Sequence, residues 1–277
     1  MFWEEEVLDK LPVNIWYEAN GVMLHAHHWS HDNQATIIFI HGAIANNVWW
    51  QHIACQLTTG QVFSVDLSGH GLSQWAPSYN LTQHAKEIIA LLEAYRSGPV
   101  YLIGHSYGGA VAALVASMIQ GVTSVMVDTP LSITQERKDP EPRAYQKPVY
   151  PTVDEAIKRF RPIPRQPIQH PKILDFIARN SVRESDGGYC WQFDPAFNKR
   201  HITEAEQALI QPMLVGMPYW YVELSPFATP ELLDKALALG LQPIEVPNAY
   251  HAVMIDNPGH IMHLIDELLI ESDPGEA

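Results

Sequence analysis

The sequence is poor in cysteine, in basic residues and in long hydrophobic runs, and each shortage excludes a class of protein. Its 277 residues include only two cysteines, Cys55 and Cys190. Two are too few for a disulfide framework, so we expect both to be buried free thiols. No apolar run approaches the roughly 20 residues that a membrane-spanning helix needs. The acidic start, Met1 to Glu6, lacks the basic and then apolar pattern of a secretory signal, so we expect a cytoplasmic protein without membrane association.

Basic residues are outnumbered by acidic ones, 17 against 31, which gives a formal net charge of −14. A surface this acidic repels phosphate groups, so nucleic acid is not expected as a partner. The basic residues are also unevenly placed, because residues 131–211 hold 13 of the 17 together with a cluster of prolines. Proline interrupts long helices and central strands. This stretch is therefore predicted to be an insertion into a more regular domain.

The rest of the chain alternates short apolar runs with helical patterns. An Asn-Gly turn between two such runs predicts an edge hairpin at 13–17 and 22–29. Further buried-strand patterns occur at 36–40, 61–65, 99–103, 124–127, 219–224 and 241–246. Helical patterns lie at 81–96, 109–119, 154–161, 173–183, 230–239 and 259–270. The alternation predicts an α/β fold with a doubly wound, mostly parallel central sheet flanked by helices.

The most informative motif is Gly104-His105-Ser106-Tyr107-Gly108, between a strand pattern and a helical pattern of small residues. In this context G-x-S-x-G forms a nucleophile elbow, a strained turn that exposes the serine hydroxyl above the sheet. The same five letters also occur in ordinary glycine-rich loops, so their neighbours decide the interpretation. Three further motifs follow other predicted strands: His41-Gly42, the loop from Asp66 to Ser73, and His251.

Taken in order, these four motifs resemble those of the α/β-hydrolase superfamily, and the resemblance spans nearly the whole chain. Two short strings, VDTPL at 127–131 and WQFDP at 191–195, look like segments of its serine hydrolase-like group. The resemblance implies an α/β-hydrolase core formed by residues 1–130 and 212–277. It also implies that residues 131–211 form a mainly helical cap over the site, and that no cofactor is needed. The Asp66 to Ser73 loop is interpreted as a structural turn beneath the site.

Three residues are predicted to form a catalytic triad. Ser106 is the nucleophile, and His251, after the last predicted strand, is the base that takes its proton. The acid of the triad is harder to assign, because many hydrolases place an aspartate after the penultimate strand, where this chain has Ser225. The alternatives are Asp128, which ends the preceding strand, and Glu223, which is expected to lie within the later strand. We favour Asp128.

Other candidates surround the triad. The backbone N–H groups of Ala43 and Tyr107 match the superfamily's two oxyanion-hole donors, which stabilise the charge that develops on the substrate oxygen. Trp49 and Tyr250 suggest an apolar acyl or aryl pocket, although core packing explains Trp49 equally well. Basic residues of the insertion either receive an anionic substrate or an acidic carrier protein, or form a solvated face: Arg137, Lys138, Arg143, Arg159, Arg161 and Arg165.

The predicted function is hydrolysis of small-molecule carboxylic esters, lactones or thioesters through an acyl-enzyme. Two alternatives stay open. One is hydrolysis of a carbon–carbon bond by the same triad, and the other is a non-catalytic binding protein that has lost the aspartate expected at position 225. A metal site is not predicted, because the histidines at 25, 27, 28 and 31 do not have a common zinc spacing.

Overall fold

The computed structural model describes residues 10–131, 148–199 and 202–271. These residues contain ten strands: β1 Val13–Ala19, β2 Val22–Ser30, β3 Thr36–Ile40, β4 Gln61–Asp66, β5 Val100–His105, β6 Val122–Val127, β7 Val182–Ser185, β8 Gly188–Trp191, β9 Pro218–Val222 and β10 Gln242–Val246. The helices are α1 Val48–Ala54, α2 Leu81–Tyr95, α3 Tyr107–Met118, α4 Val153–Ile157, α5 Pro171–Asn180, α6 Glu204–Ile210, α7 Pro230–Ala238, α8 Val253–Asp256 and α9 Pro258–Glu271. Short 3-10 turns occupy Pro195–Lys199 and Gln211–Leu214.

Eight of the strands form one sheet in the order β1-β2-β4-β3-β5-β6-β9-β10. The β1–β2 hairpin is antiparallel and lies at one edge, as its Asn-Gly turn predicts, and β2 pairs antiparallel with β4. All other neighbours are parallel. Because parallel strands end at the same edge of a sheet, the loops after β3, β5, β6, β9 and β10 meet there. The predicted α/β fold is confirmed.

Side chains alternate between the two faces of the sheet, and each face is covered by helices. On β3, Ile38 and Ile40 belong to the apolar cluster under α2 and α3, whereas Ile37 and Phe39 belong to the cluster that contains α1 and α9. Strands buried on both faces read as continuous apolar runs. This burial explains why the pattern at 36–40 predicted the observed strand so closely.

Between β6 and β9 the chain leaves the large sheet. Helices α4, α5 and α6 lie in this segment, together with an antiparallel hairpin of β7 and β8 that the helical periodicity did not predict. We call the described residues 148–199 and 202–211 the cap segment, after their place between β6 and β9; that they cover the site stays a prediction. Its fragment from Gln192 to Asp194 pairs with the loop after β4, because Gly71 N–H donates to the Gln192 carbonyl at 2.7 Å and Asp194 N–H to the Gly69 carbonyl at 2.7 Å.

The described part of the chain holds no helix with both the length and the hydropathy needed to cross a bilayer.

Candidate active site

Ser106 lies in a sharp turn between β5 and α3. Its backbone has φ +52° and ψ −117°, a left-handed conformation that costs a non-glycine residue about 1 kcal/mol or more. The turn is held in place because the Ser106 N–H donates to the Val127 carbonyl at 2.8 Å and the Thr129 hydroxyl donates to the Ser106 carbonyl at 3.0 Å. The serine is partly exposed although its neighbours on both sides are buried. This is the geometry of a nucleophile elbow.

The glycines of the motif are required by close backbone packing. A side chain at Gly104 would collide with the Gly108 backbone, and one at Gly108 would collide with the carbonyls of Ile40 and His41. The motif therefore brings β3, β5 and the first turn of α3 closer together than any other residue would permit. One consequence is that the turn after β3 lies directly beside the serine.

His251 and Asp128 are in direct contact. The imidazole Nδ1–H donates to Asp128 Oδ2 at 2.7 Å, and both side chains are buried. Asp128 follows the end of β6 with φ +44°. Its N–H donates to the Trp220 carbonyl on β9 at 2.8 Å, which fixes the residue between two strand ends. Because Nδ1 is engaged by the carboxylate, Nε2 is the imidazole nitrogen that can act as a base.

The loop from Pro247 to Ala252, between β10 and α8, is called the histidine loop because it contains His251. His105, the residue before Ser106, joins the elbow to this loop. Its Nε2–H donates to the His251 carbonyl at 2.8 Å, and the two ring centroids are 4.6 Å apart. Burial lowers the pKa of His105 well below its ordinary value, and the nearby His251 lowers it further. A neutral His105 thus serves as a fixed donor that holds His251 above the end of β5.

Glu223, the alternative acid, lies apart from this pair. The expectation that it still belongs to the strand is wrong, because β9 ends at Val222. Glu223 is exposed, and its Oε2 accepts the Asn248 N–H at 2.7 Å at the start of the histidine loop. Ser225, by contrast, is buried and donates its hydroxyl to Asp128 Oδ2 at 2.5 Å. The structure therefore brings Asp128 to His251 and leaves Glu223 outside the contact.

The predicted oxyanion-hole residues flank the serine. Tyr107 is the first residue of α3, immediately after Ser106. Ala43 follows Gly42, whose position is so close to the elbow that an added Cβ would lie 3.3 Å from Ser106 Cβ. Both backbone segments thus border the nucleophile. Their roles as donors remain predictions.

The two predicted pocket residues lie on different elements. Trp49 belongs to α1 and is buried against Phe160 of the cap segment, with ring centroids 6.0 Å apart. Tyr250 is half-buried, immediately before His251. The Phe227 ring packs 4.9 Å from the His251 ring at an interplanar angle of 76°. Phe227 was not predicted, since nothing in the local sequence connects it with the histidine.

The cap segment is also hydrogen-bonded to the histidine loop. Gln166 Nε2 donates to Asp256 Oδ2 at 2.7 Å, and Gln166 Oε1 accepts the Ala252 N–H at 2.8 Å. The same Asp256 oxygen accepts the Tyr250 N–H at 2.9 Å, and burial raises the pKa of this carboxyl group. The residues on both sides of His251 are therefore tied to one glutamine of the cap segment. Sequence reasoning missed this glutamine because no motif surrounds it.

The loop after β4 is a hydrogen-bonded turn, as expected. Asp66 accepts N–H groups from Asn47 and Leu72 and contacts His25 Nδ1 at 2.8 Å. The other nitrogen of His25 contacts Asn14 Oδ1 at 2.8 Å. In the part of the chain that the structure describes, no cluster of three or more histidine, cysteine or acidic residues could hold a metal ion.

Of the basic residues proposed to receive an anionic substrate, Arg159, Arg161 and Arg165 are exposed. The other three, Arg137, Lys138 and Arg143, lie outside the described residues. The two cysteines are buried, and burial raises the pKa of the Cys55 thiol to about 11.

Comparison with known proteins finds relatives that match part of this chain. Lipase LipV of Mycobacterium tuberculosis is 34% identical over 94 residues, which cover 34% of this chain and 36% of the lipase. The serine hydrolase-like protein of Danio rerio is 26% identical over 217 residues, 70% of this chain and 63% of that protein. These matches thus span between about one third and two thirds of the relatives' own length.

Among solved structures, the thioesterase domain from the curacin biosynthetic pathway superposes with a TM-score of 0.78. The match covers 92% of this chain and 99% of the domain, at 22% sequence identity, and so shows a common fold. The profile of the Alpha/beta hydrolase family matches residues 37–262, from the strand before the His-Gly turn to the helix after His251. The chain belongs to the Alpha/beta hydrolase family.

Proposed function

We propose that this hydrolase cleaves carboxylic esters or thioesters with Ser106 as nucleophile, His251 as general base and Asp128 as the acid of the triad. The observation that carries the proposal is the convergence of three strand ends. Ser106 stands in a strained turn after β5, and the His251 to Asp128 hydrogen bond of 2.7 Å lies across the ends of β10 and β6. A serine hydroxyl needs such a base to become a nucleophile at neutral pH.

The residues define a complete reaction cycle. Ser106 Oγ attacks the substrate carbonyl carbon while His251 Nε2 takes the hydroxyl proton. The bond to the leaving group then breaks, and His251 returns the proton to the departing oxygen or sulfur, which leaves an acyl-enzyme. Water attacks the acyl carbon, gives a proton to His251, and Ser106 regains that proton as the acid departs. Asp128 orients the imidazole and stabilises its protonated form throughout.

The backbone N–H groups of Ala43 and Tyr107 are proposed to stabilise the oxyanion of both tetrahedral intermediates. Their segments border Ser106, and donors fixed in advance stabilise developing charge without reorganisation. Trp49 and Tyr250 are proposed to line the substrate pocket. The names of the compared proteins, a lipase and a thioesterase, support an acyl substrate and leave its chain length open. A small ester, anionic or attached to a carrier, is the proposed substrate.

The test is hydrolysis of p-nitrophenyl esters from acetyl to dodecanoyl, and of acyl thioesters, by the wild type, Asp128→Asn and Glu223→Gln. Asparagine accommodates the positive φ of position 128 but cannot stabilise an imidazolium, so kcat is expected to fall about 10⁴-fold. Glu223 is exposed and does not contact the histidine, and its variant should keep kcat within about threefold.

The opposite ranking of the two variants would contradict the assignment of Asp128. A folded wild type that hydrolyses none of these substrates would contradict acyl-ester hydrolysis itself. In that case diketones, which test the carbon–carbon alternative, are the next substrates to assay.

A further inference from the structure

The strongest unassigned feature is the buried serine at the position where an aspartate was expected. Ser225 lies three residues after the end of β9 and is 7% exposed. Its hydroxyl donates to Asp128 Oδ2, the same oxygen that accepts the His251 Nδ1–H. One carboxylate oxygen therefore receives two hydrogen bonds, one from the imidazole and one from the serine.

The surroundings of the second oxygen of Asp128 make Ser225 more important for orienting the carboxylate. Asp128 Oδ1 is buried and has no hydrogen-bond partner among the described residues. A carboxylate held by one donor can rotate about that bond, whereas a second donor to the same oxygen fixes its direction. Hydrogen bonds to charged groups are also stronger than hydrogen bonds between two neutral groups. Ser225 is thus the second donor that can fix the direction of Asp128 Oδ2.

Ser225 also contacts a residue that packs against the imidazole. Its Oγ accepts the Phe227 N–H at 3.2 Å, and the Phe227 ring packs against His251. The main chain of the serine is anchored as well, because its N–H donates to the Val222 carbonyl at 2.9 Å and its carbonyl accepts the Ala228 N–H at 3.1 Å. The Ser225 hydroxyl is therefore hydrogen-bonded both to Asp128 and to Phe227, whose ring packs against His251.

From these contacts we infer that Ser225 is a positioning residue. It stands where an aspartate was expected, and it orients Asp128, the acid that follows β6. The inference rests on the proposed function, since it concerns the same triad. Ser225 does not touch the reacting atoms. Its effect on catalysis is exerted through Asp128.

The test compares Ser225→Ala, which removes the hydroxyl, with Ser225→Thr, which retains it. For Ser225→Ala we expect kcat for ester hydrolysis to fall about tenfold to a hundredfold, the cost of a lost hydrogen bond to a charged group. Ser225→Thr should recover most of that loss. Ser124→Ala is the matched control, because Ser124 is also buried and donates one hydrogen bond, to the Ala112 carbonyl, away from the triad.

A double-mutant cycle separates positioning from a general loss of stability. If Ser225 acts through Asp128, Ser225→Ala should lower kcat by less than about threefold when Asp128 is already asparagine. Full additivity, or a Ser225→Ala enzyme as active as the wild type, would overturn the inference. Thermal unfolding of each variant shows whether it is folded.

A spectroscopic readout keeps the inference independent of activity. The NMR resonance of the His251 Nδ1 proton, assigned by its loss in Asp128→Asn, should shift in Ser225→Ala and return in Ser225→Thr. An unchanged resonance in Ser225→Ala would overturn the positioning role even in an inactive protein. Absence of both ester turnover and serine labelling in the wild type would instead contradict the proposed function alone.

Discussion

Glu87 is a buried carboxyl group on α2, beneath the loop after β4. Its Oε2 accepts the Ser68 N–H at 2.9 Å, and its Oε1 accepts from Gln83 at 3.3 Å. Burial raises the pKa of Glu87 from 4.5 to about 7, and the bonds from Ser68 and Gln83 only partly oppose this rise. The folded protein therefore holds this proton more tightly than the unfolded chain does, which links stability to pH.

The sign of this effect gives a prediction for Glu87→Gln. Between pH 4.5 and pH 7 the folded state binds more protons than the unfolded chain, so wild-type stability falls as the pH rises through this window. A glutamine cannot ionise, so the variant does not lose stability in this way as the pH rises. Relative to the wild type, Glu87→Gln should gain roughly 2 kcal/mol in its free energy of unfolding between pH 5 and pH 8.

Urea denaturation at both pH values measures this difference. Glu93→Gln is the control, because Glu93 is exposed on the same helix, and its variant should show no comparable change between the two pH values. A Glu87→Gln variant whose stability follows that of the wild type at both pH values would show that Glu87 is not protonated preferentially in the fold.

At the scale of elements, the cap segment contacts the core at two places that matter for the site. Residues Gln192 to Asp194 pair with the loop after β4, and Tyr79 on the core donates its hydroxyl to Asp194 Oδ2 at 2.6 Å. At the second place, Gln166 joins the histidine loop to Asp256. The loop that carries His251 is therefore hydrogen-bonded to a segment that lies outside the large sheet.

This arrangement predicts that Gln166→Ala lowers kcat about tenfold, because the backbone on both sides of His251 loses its support and small displacements of a base are costly. Gln169→Ala is the matched control. Gln169 is an exposed neighbour whose side chain makes one hydrogen bond, to the Asn248 carbonyl at 2.7 Å. Its variant should retain kcat within about twofold.

Steady-state ester kinetics on the two folded variants are the measurement. A Gln166→Ala variant with wild-type kcat, or one no slower than Gln169→Ala, would contradict a positioning role of Gln166.

At the scale of the whole molecule, the large sheet could be predicted because its evidence is local. Most of the parallel strands are short runs rich in apolar residues, and Ser106 and His251 lie in motifs that follow two of the predicted strands. The β7–β8 hairpin was missed although Asp186-Gly187 between its strands is a strong turn signal. The contacts of Ser225 with Asp128 and of Gln166 with Asp256 join residues 97 and 90 positions apart, which no local pattern specifies.

The central claim is that Ser106 is an activated nucleophile. The most direct measurement is intact mass after brief treatment with a fluorophosphonate, on the wild type and on Ser106→Ala, since only an activated serine reacts quickly. An activated Ser106 should give one adduct on the wild type and none on Ser106→Ala. An adduct on both proteins, or none on a folded wild type, would contradict the central claim.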